Sequence, residues 1–361
     1  MTFTKILGTV NDQRKEKKMK RTRLLCAGLL ALAVLGSPCY VAAEGTTATA
    51  KRIKVGLVFD VGGLGDKSFN DAAYAGLKRA EKELGIVGEY REPGEGAHRE
   101  AHMRYFAKGD ADLIIGVGFL FSDEIRAMAH DFPKKKFACV DYTVDEQEIP
   151  ENLAALTFRE EEGSFLVGAI AALKSQTGKI GFVGGVESPL IKKFEAGYVQ
   201  GAKYVRPDIE VKAVYAGVSD TAFKDPQKGK ELASSLYDAG CDIIYHASGS
   251  TGLGVFKAAE ERKKFAIGVD RDQSDEAAPG VVLTSMIKCT DVAVYNVIQS
   301  VAKGTFKGGI ISLGLKEGGV GYVYNEKNKA LIGEETHKKI EELKEKIIRG
   351  EIKVSPVPPR S

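Results

Sequence analysis

The 361-residue sequence has no tryptophan, and only five cysteines, five histidines and 11 prolines. No cysteines are spaced as CxxC or as a Cys/His ligand set, so neither a disulfide scaffold nor a structural zinc is expected. Beyond residue 43 three cysteines are left, Cys139, Cys241 and Cys289. Cys139 lies in the apolar run 137–140, where a thiol packs as a small hydrophobe. His98, His102, His130, His246 and His337 stand next to no evident Ser or Cys nucleophile, which removes the familiar acyl-transfer arrangements. The few prolines against 41 glycines, with 43% apolar and 28% charged residues, exclude collagen and disorder. They describe a soluble α/β protein of about two domains.

An excess of one charge is also missing once position is considered. The net charge is +3, yet residues 1–43 hold 8 Lys/Arg and 2 Asp/Glu, which leaves 44 basic and 47 acidic residues in the remainder. That body offers no electrostatic reason to bind nucleic acid or an anionic membrane surface, and solvated runs such as Lys134-Lys135-Lys136 mark no partner. Nor is any apolar run long enough to span a bilayer: the stretch 24–35, behind the basic residues Arg14 to Arg23, is too short. With Val41-Ala42-Ala43 placed for cleavage before Glu44, residues 1–43 read as a signal peptide, with Met19 a second candidate start. The product is expected to be exported, periplasmic or envelope-associated. Cys39 sits where a lipid anchor would be attached, but Pro38 directly before it makes a poor lipobox.

What the chain does have is alternation. Short Val/Ile-rich runs at 53–59, 113–117, 136–140, 179–183, 211–215, 243–246, 265–269 and 281–287 read as strands. Helical patterns lie between them at 70–84, 122–130, 164–174, 192–204, 227–239, 252–262 and 291–303. Continuously apolar strands, most followed by a helix, point to doubly wound parallel sheets covered on both faces. The series restarts near residue 179, so two similar lobes are expected. In such sheets ligands bind outside the carboxyl ends of the strands, so two facing lobes make a cleft lined by those loops.

The strand ends carry Asp60, then Phe69-Asn70; Gly118-Phe119; Asp141; Phe223; Gly249; Asp270; and Lys288. Carboxylates and an amide accept and donate hydrogen bonds, and phenylalanine stacks on flat rings. Together they suit a small neutral ligand with several donors and an apolar face. Taken singly each has a plainer use: Asp60 or Asp141 as a helix cap, Phe69 as a staple, Lys288 as a surface lysine. Three chemical alternatives fit worse. Gly62-Gly63-Leu64-Gly65 misses the dinucleotide register, whose third glycine falls on Ser68. Asp60, Asp66 and Asp71 could hold Ca²⁺ as in a nucleoside hydrolase, but their spacing differs from that family's pattern. His246 ends a strand without a nucleophile beside it.

The segment VGLVFDVGGLGDKSFNDAAYAGLKRA strongly resembles the opening of the basic membrane protein family, ABC-transporter substrate-binding proteins that include the purine nucleoside receptor type. IIGVGFLFSDEI, DPQKGKELA and IGVDRDQSDEAAPGVVLTSMIKCTDVAVY are similar to further segments of that family, and the resemblance spans residues 53–356. It implies a type I periplasmic-binding fold, two lobes joined by three crossovers: lobe 1 as 51–157 plus 286–308, lobe 2 as 158–285 plus 309–361. The ligand it implies is a nucleoside, with a purine preferred. Phe69 and Phe223 would stack on the base, Phe194 being an alternative second ring, while Asn70 and Asp141 would bond its polar edge. Asp270 and Lys288 would hold the ribose hydroxyls, helped by Gly249, with Asp60 at the cleft wall. A membrane permease is the implied partner, the protein itself is expected to be a monomer, and neither a cofactor nor an enzymatic activity is implied. A different small ligand, a sugar or a signal molecule, and a periplasmic nucleoside hydrolase are the competing readings.

Overall fold

The computed structural model describes residues 52–92, 98–145 and 148–358. The signal peptide read at 1–43, with Cys39, lies outside them. Two six-stranded sheets carry the fold. The first is built from β1 (Lys54–Val58), β2 (Val87–Arg91), β3 (Leu113–Val117), β4 (Lys136–Val140), β5 (Leu153–Phe158) and β11 (Gly309–Leu313), in the order β11-β5-β4-β3-β1-β2. The second contains β6 (Lys179–Val186), β7 (Glu210–Gly217), β8 (Ile243–Ala247), β9 (Phe265–Gly268), β10 (Val282–Lys288) and β12 (Val320–Tyr322), in the order β12-β10-β9-β8-β6-β7. Every pairing is parallel except β10 with β12. The two sheets repeat one strand order, as expected for lobes that restart near residue 179.

The helices follow the strands. α1 (Phe69–Leu84), α2 (Arg99–Lys108) and α3 (Ser122–Asp131) belong to the first lobe. α4 (Glu160–Lys174), α5 (Pro189–Val205), α6 (Pro226–Asp238) and α7 (Gly252–Arg262) flank the second sheet, and α8 (Thr290–Ala302) packs on α1. α9 (Lys329–Ile332) and the amphipathic α10 (Glu334–Ile348) complete the chain. Local chemistry sets the helix starts: Ser188 accepts from the Ile191 amide before Pro189, and Asp225 from the Lys228 amide before Pro226. α4 and α5 approach closely because Gly197 and Gly201 face the Glu161 and Phe165 carbonyls, where a Cβ would stand 2.1 and 1.9 Å from those oxygens.

The chain passes between sheets after β5, after β10 and after β11, giving the three crossovers. The lobe boundaries differ in detail from those read in the sequence. Residues 286–288 belong to β10 of the second sheet, and 309–313 form the edge of the first, paired with β5 from Gly309↔Ala154 to Leu313↔Phe158. The sequence had assigned each segment to the other lobe. Strands β2, β5, β11 and β12 were not read from the sequence. β2 and β11 are edge strands with mostly exposed side chains, so they lack the apolar run of a central strand. Among the described residues no helix is long and apolar enough to cross a membrane, and Cys139, Cys241 and Cys289 are free thiols.

Candidate functional site

The strand-end residues singled out above, with Phe194 from α5, line one cavity: Asp60, Phe69, Asn70, Gly118, Phe119, Asp141, Phe223, Gly249, Asp270 and Lys288. Val61, Asp66, Leu190, Ile191, Ala247, Ser248 and Val269 complete the wall.

On the first lobe, the loop after β1 is organised by Asp66. Its carboxylate accepts from the backbone amides of Ser68, Asn70 and Asp71, and so caps α1 in place of a Ser68 side-chain cap. It also accepts from Asn70 Nδ2 at 3.0 Å, while Asn70 Oδ1 accepts from the Asp60 amide at 3.0 Å. These bonds fix which way the Asn70 amide faces. Asp71 accepts from the Gly65 and Lys67 amides, so two of the three aspartates weighed as calcium ligands shape this loop instead. Gly118, at φ +111°, lets the chain turn against Asp60: a Cβ there would lie 2.1 Å from Asp60 Oδ2. Burial pushes the Asp60 carboxyl up to about 7.

Asp141 and Asp270 end corresponding strands, β4 and β9, and both adopt the left-handed conformation, φ +62° and +68°. Aspartate tolerates that region better than most residues, and such backbone concentrates at functional sites. Lys288 Nζ donates to Asp141 Oδ2 at 2.6 Å and lies 3.1 Å from Glu160 Oε1. Its ammonium is surrounded by the rings of Phe69, Phe158 and Phe194, 5.0 to 5.4 Å from their centroids. Burial alone would pull the Lys288 ammonium down, but the carboxylates of Asp141, Glu160 and Asp270 more than reverse this and hold it above the ordinary lysine value. Asp141 Oδ1 is buried and has no hydrogen-bond partner among the described residues.

The rim is closed by contacts between lobes. Ser68 Oγ donates to Asp270 Oδ2, and Gln273 Nε2 donates to the Lys67 carbonyl at 2.9 Å. Burial pushes Asp270 up to about 7 against the opposing pull of Lys288 and Ser68. His246 is fully buried, its Nε2 3.1 Å from Gln273 Oε1, and burial lowers it to about 4. Its place is in the support of Gln273; it does not line the cavity. Phe69 and Phe223 present partly exposed rings, whereas Phe194 is 3% exposed and belongs to the core.

Sequence reasoning missed Asp66 as an organiser, Ser68 as a bond across the rim, and Glu160. The first two lie inside the glycine-rich loop already singled out, so the signal was there. Glu160 follows β5, a strand that was not recognised, and its helix was started at 164.

The ABC transporter substrate-binding protein PnrA-like family model, Bmp, matches residues 53–356. Basic membrane protein A of Borreliella burgdorferi is 38% identical over 330 residues, 90% of this chain and 94% of that protein. An uncharacterized lipoprotein of Pyrococcus abyssi is 38% identical, covering 82% of this chain and 74% of that one. Among solved structures, an ABC transporter solute-binding protein from Aeropyrum pernix superposes with a TM-score of 0.76 at 34% identity, covering 86% of this chain and 94% of that one. With matches of this extent, the chain belongs to the PnrA-like family of ABC transporter substrate-binding proteins.

Proposed function

We propose that the protein is an exported receptor that binds a nucleoside, preferably a purine nucleoside, between its lobes and delivers it to a membrane permease. One observation carries the reading: one cavity joins part-exposed phenylalanine rings to an amide and several carboxylates, with no arginine in its wall among the described residues. Phe69 and Phe223 are the stacking pair, each worth about 1–3 kcal/mol on the scale of base–aromatic contacts. Asn70 and the unoccupied Oδ1 of Asp141 take the polar edge of the base. Asp270 and Gly249 meet the ribose hydroxyls, with the remaining N–H of Lys288. Carboxylates without a guanidinium partner disfavour a phosphate, so the cavity suits a nucleoside over a nucleotide. A ligand lacking a hydroxyl would leave a buried acceptor unpaired, which is a strong source of selectivity. Hinge closure over the ligand supplies the form that a permease recognises. The basic leader with its short apolar run, and a lipoprotein among the relatives, support export to the cell envelope. The action is binding and release without turnover.

The test is calorimetric titration of the protein, unfolded and refolded to strip co-purified ligand, with guanosine, inosine, adenosine, cytidine, ribose and guanosine monophosphate. A dissociation constant below about 1 μM for a purine nucleoside, weak monophosphate binding and no free base on prolonged incubation are expected. Binding of ribose alone would indicate a sugar receptor, release of base a hydrolase, and silence across the panel would remove the nucleoside reading.

A further inference from the structure

The cavity wall ends at Lys288, but the contacts that hold Lys288 continue behind it. Glu160 is completely buried and does not line the cavity. Its Oε1 lies 3.1 Å from Lys288 Nζ, and its Oε2 accepts from Lys193 Nζ at 3.1 Å. Lys193 also donates to the Phe158 carbonyl at 3.1 Å, at the end of β5. The result is an alternating line of charges, Lys193, Glu160, Lys288, Asp141. It runs from α5 through the first residue of α4, past the last residue of β10, to the end of β4. Glu160 stands just after the first passage between sheets and Lys288 just before the second, so their contact ties together two of the three connecting strands.

The glycines of α5 explain how Lys193 reaches Glu160. Gly197 and Gly201 bring α5 onto the backbone of α4, which carries Lys193 to the start of α4, where its side chain is 28% exposed. A fully buried carboxylate is costly unless paired, and Glu160 has a cation within 3.1 Å of each oxygen, hydrogen-bonded at Oε2 and an ion pair without a hydrogen bond at Oε1.

We propose that Glu160 is the positioning residue of the cleft: by engaging the Lys288 ammonium it keeps Lys288 on Oδ2 of Asp141 and leaves Asp141 Oδ1 for the ligand. An ammonium deprived of its second anion would be free to approach both Asp141 oxygens, and the acceptor aimed at the ligand would be consumed. Lys193 anchors the far side of Glu160. This assignment rests on the nucleoside reading for its binding test only, since the contact between Glu160 and Lys288 exists without a ligand.

The experiment is a double-mutant cycle read by guanosine titration, with Glu160→Gln made in the wild-type and Lys288→Met backgrounds. Glu160→Gln is expected to weaken binding by at least about tenfold in the first background and by less than about twofold in the second, because additivity fails for groups acting as one unit. Unchanged affinity, or equal losses in both backgrounds, overturns the proposal. Should Glu160→Gln fail to fold, Lys193→Met, at a part-exposed side chain, replaces it in the same cycle, with the same coupling expected and full additivity overturning it. A second arm needs no ligand: in ¹⁵N-lysine-labelled protein, Glu160→Gln or Lys193→Met is expected to move the buried Lys288 ammonium resonance. An unmoved resonance overturns the positioning role, whereas failure of wild-type protein to bind any nucleoside, with that resonance moved, overturns only the ligand assignment.

Discussion

The two lobes share a strand order and a backbone device, yet use them for different chemistry. In each, the strand beside the one followed by a cavity glycine (Gly118 after β3, Gly249 after β8) is itself followed by an aspartate at positive φ, Asp141 after β4 and Asp270 after β9. Asp141 is bound to an ammonium carried by β10, and one of its oxygens is left over. Asp270 meets a hydroxyl from the opposite lobe and keeps its proton to about 7. The repeated scaffold therefore fixes where a carboxylate stands, and what crosses from the other lobe decides what it does. Gly118 and Gly249 show the same division: one makes room for the Asp60 side chain, the other for the Phe223 backbone.

The largest expected effect separates the two aspartates. Asp141→Ala leaves Lys288 buried with one anion fewer, and breaking a buried pair in this way costs about 3–5 kcal/mol of stability. Denaturant unfolding should register that loss together with at least a hundredfold weaker binding, about 2.7 kcal/mol or more. Asp270→Ala should weaken nucleoside binding by about tenfold or more while the fold is kept. Equal effects of the two substitutions would mean that the lobes use their aspartates alike.

The aromatic residues sharpen the comparison next. Phe223→Ala should lower affinity by about 1–3 kcal/mol with a small change in unfolding midpoint. Phe194→Ala should act chiefly on stability, by about 3–5 kcal/mol, as a core truncation does. Reversal of that pattern in paired titration and unfolding experiments would make Phe194 the second stacking ring.

A pH dependence tests Asp270 directly, beside a like contribution from Asp60 in the first lobe, whose carboxyl burial also pushes up to about 7. Asp270 ionises near 4 in an unfolded chain and near 7 in the folded one. Between those values the folded state holds more protons, so raising the pH through that window lowers stability. Asp270→Asn escapes this loss. Its stability relative to wild type should rise from pH 4 to pH 8, as followed by thermal unfolding across the range. A pH-independent difference would show that Asp270 is ionised throughout.

Much of this was legible in the sequence because central parallel strands are continuously apolar and their ends are where ligands bind. Asp60, Asp141, Asp270 and Lys288, which line the cavity, were singled out by position alone, before any family likeness was considered. Glu160 was not, because Leu153–Phe158 was passed over as a strand and the helix after it was started at 164. Glu160 is buried between two lysines, Lys288 and Lys193, converging on the start of α4, a tertiary fact with no local signature. The lobe boundaries failed for a related reason: β11 is recognised by its partner β5, some 155 residues away in register, and by little in its own composition.

That late strand has a consequence for biosynthesis. The first sheet has no β11 until residues 309–313 have been made, and the second lacks β12 until 320–322. Pairing over such separations is slow, so a newly made chain spends an interval without either sheet complete. Until then β5 and β10 stand as open sheet edges, each with a row of unpaired backbone groups.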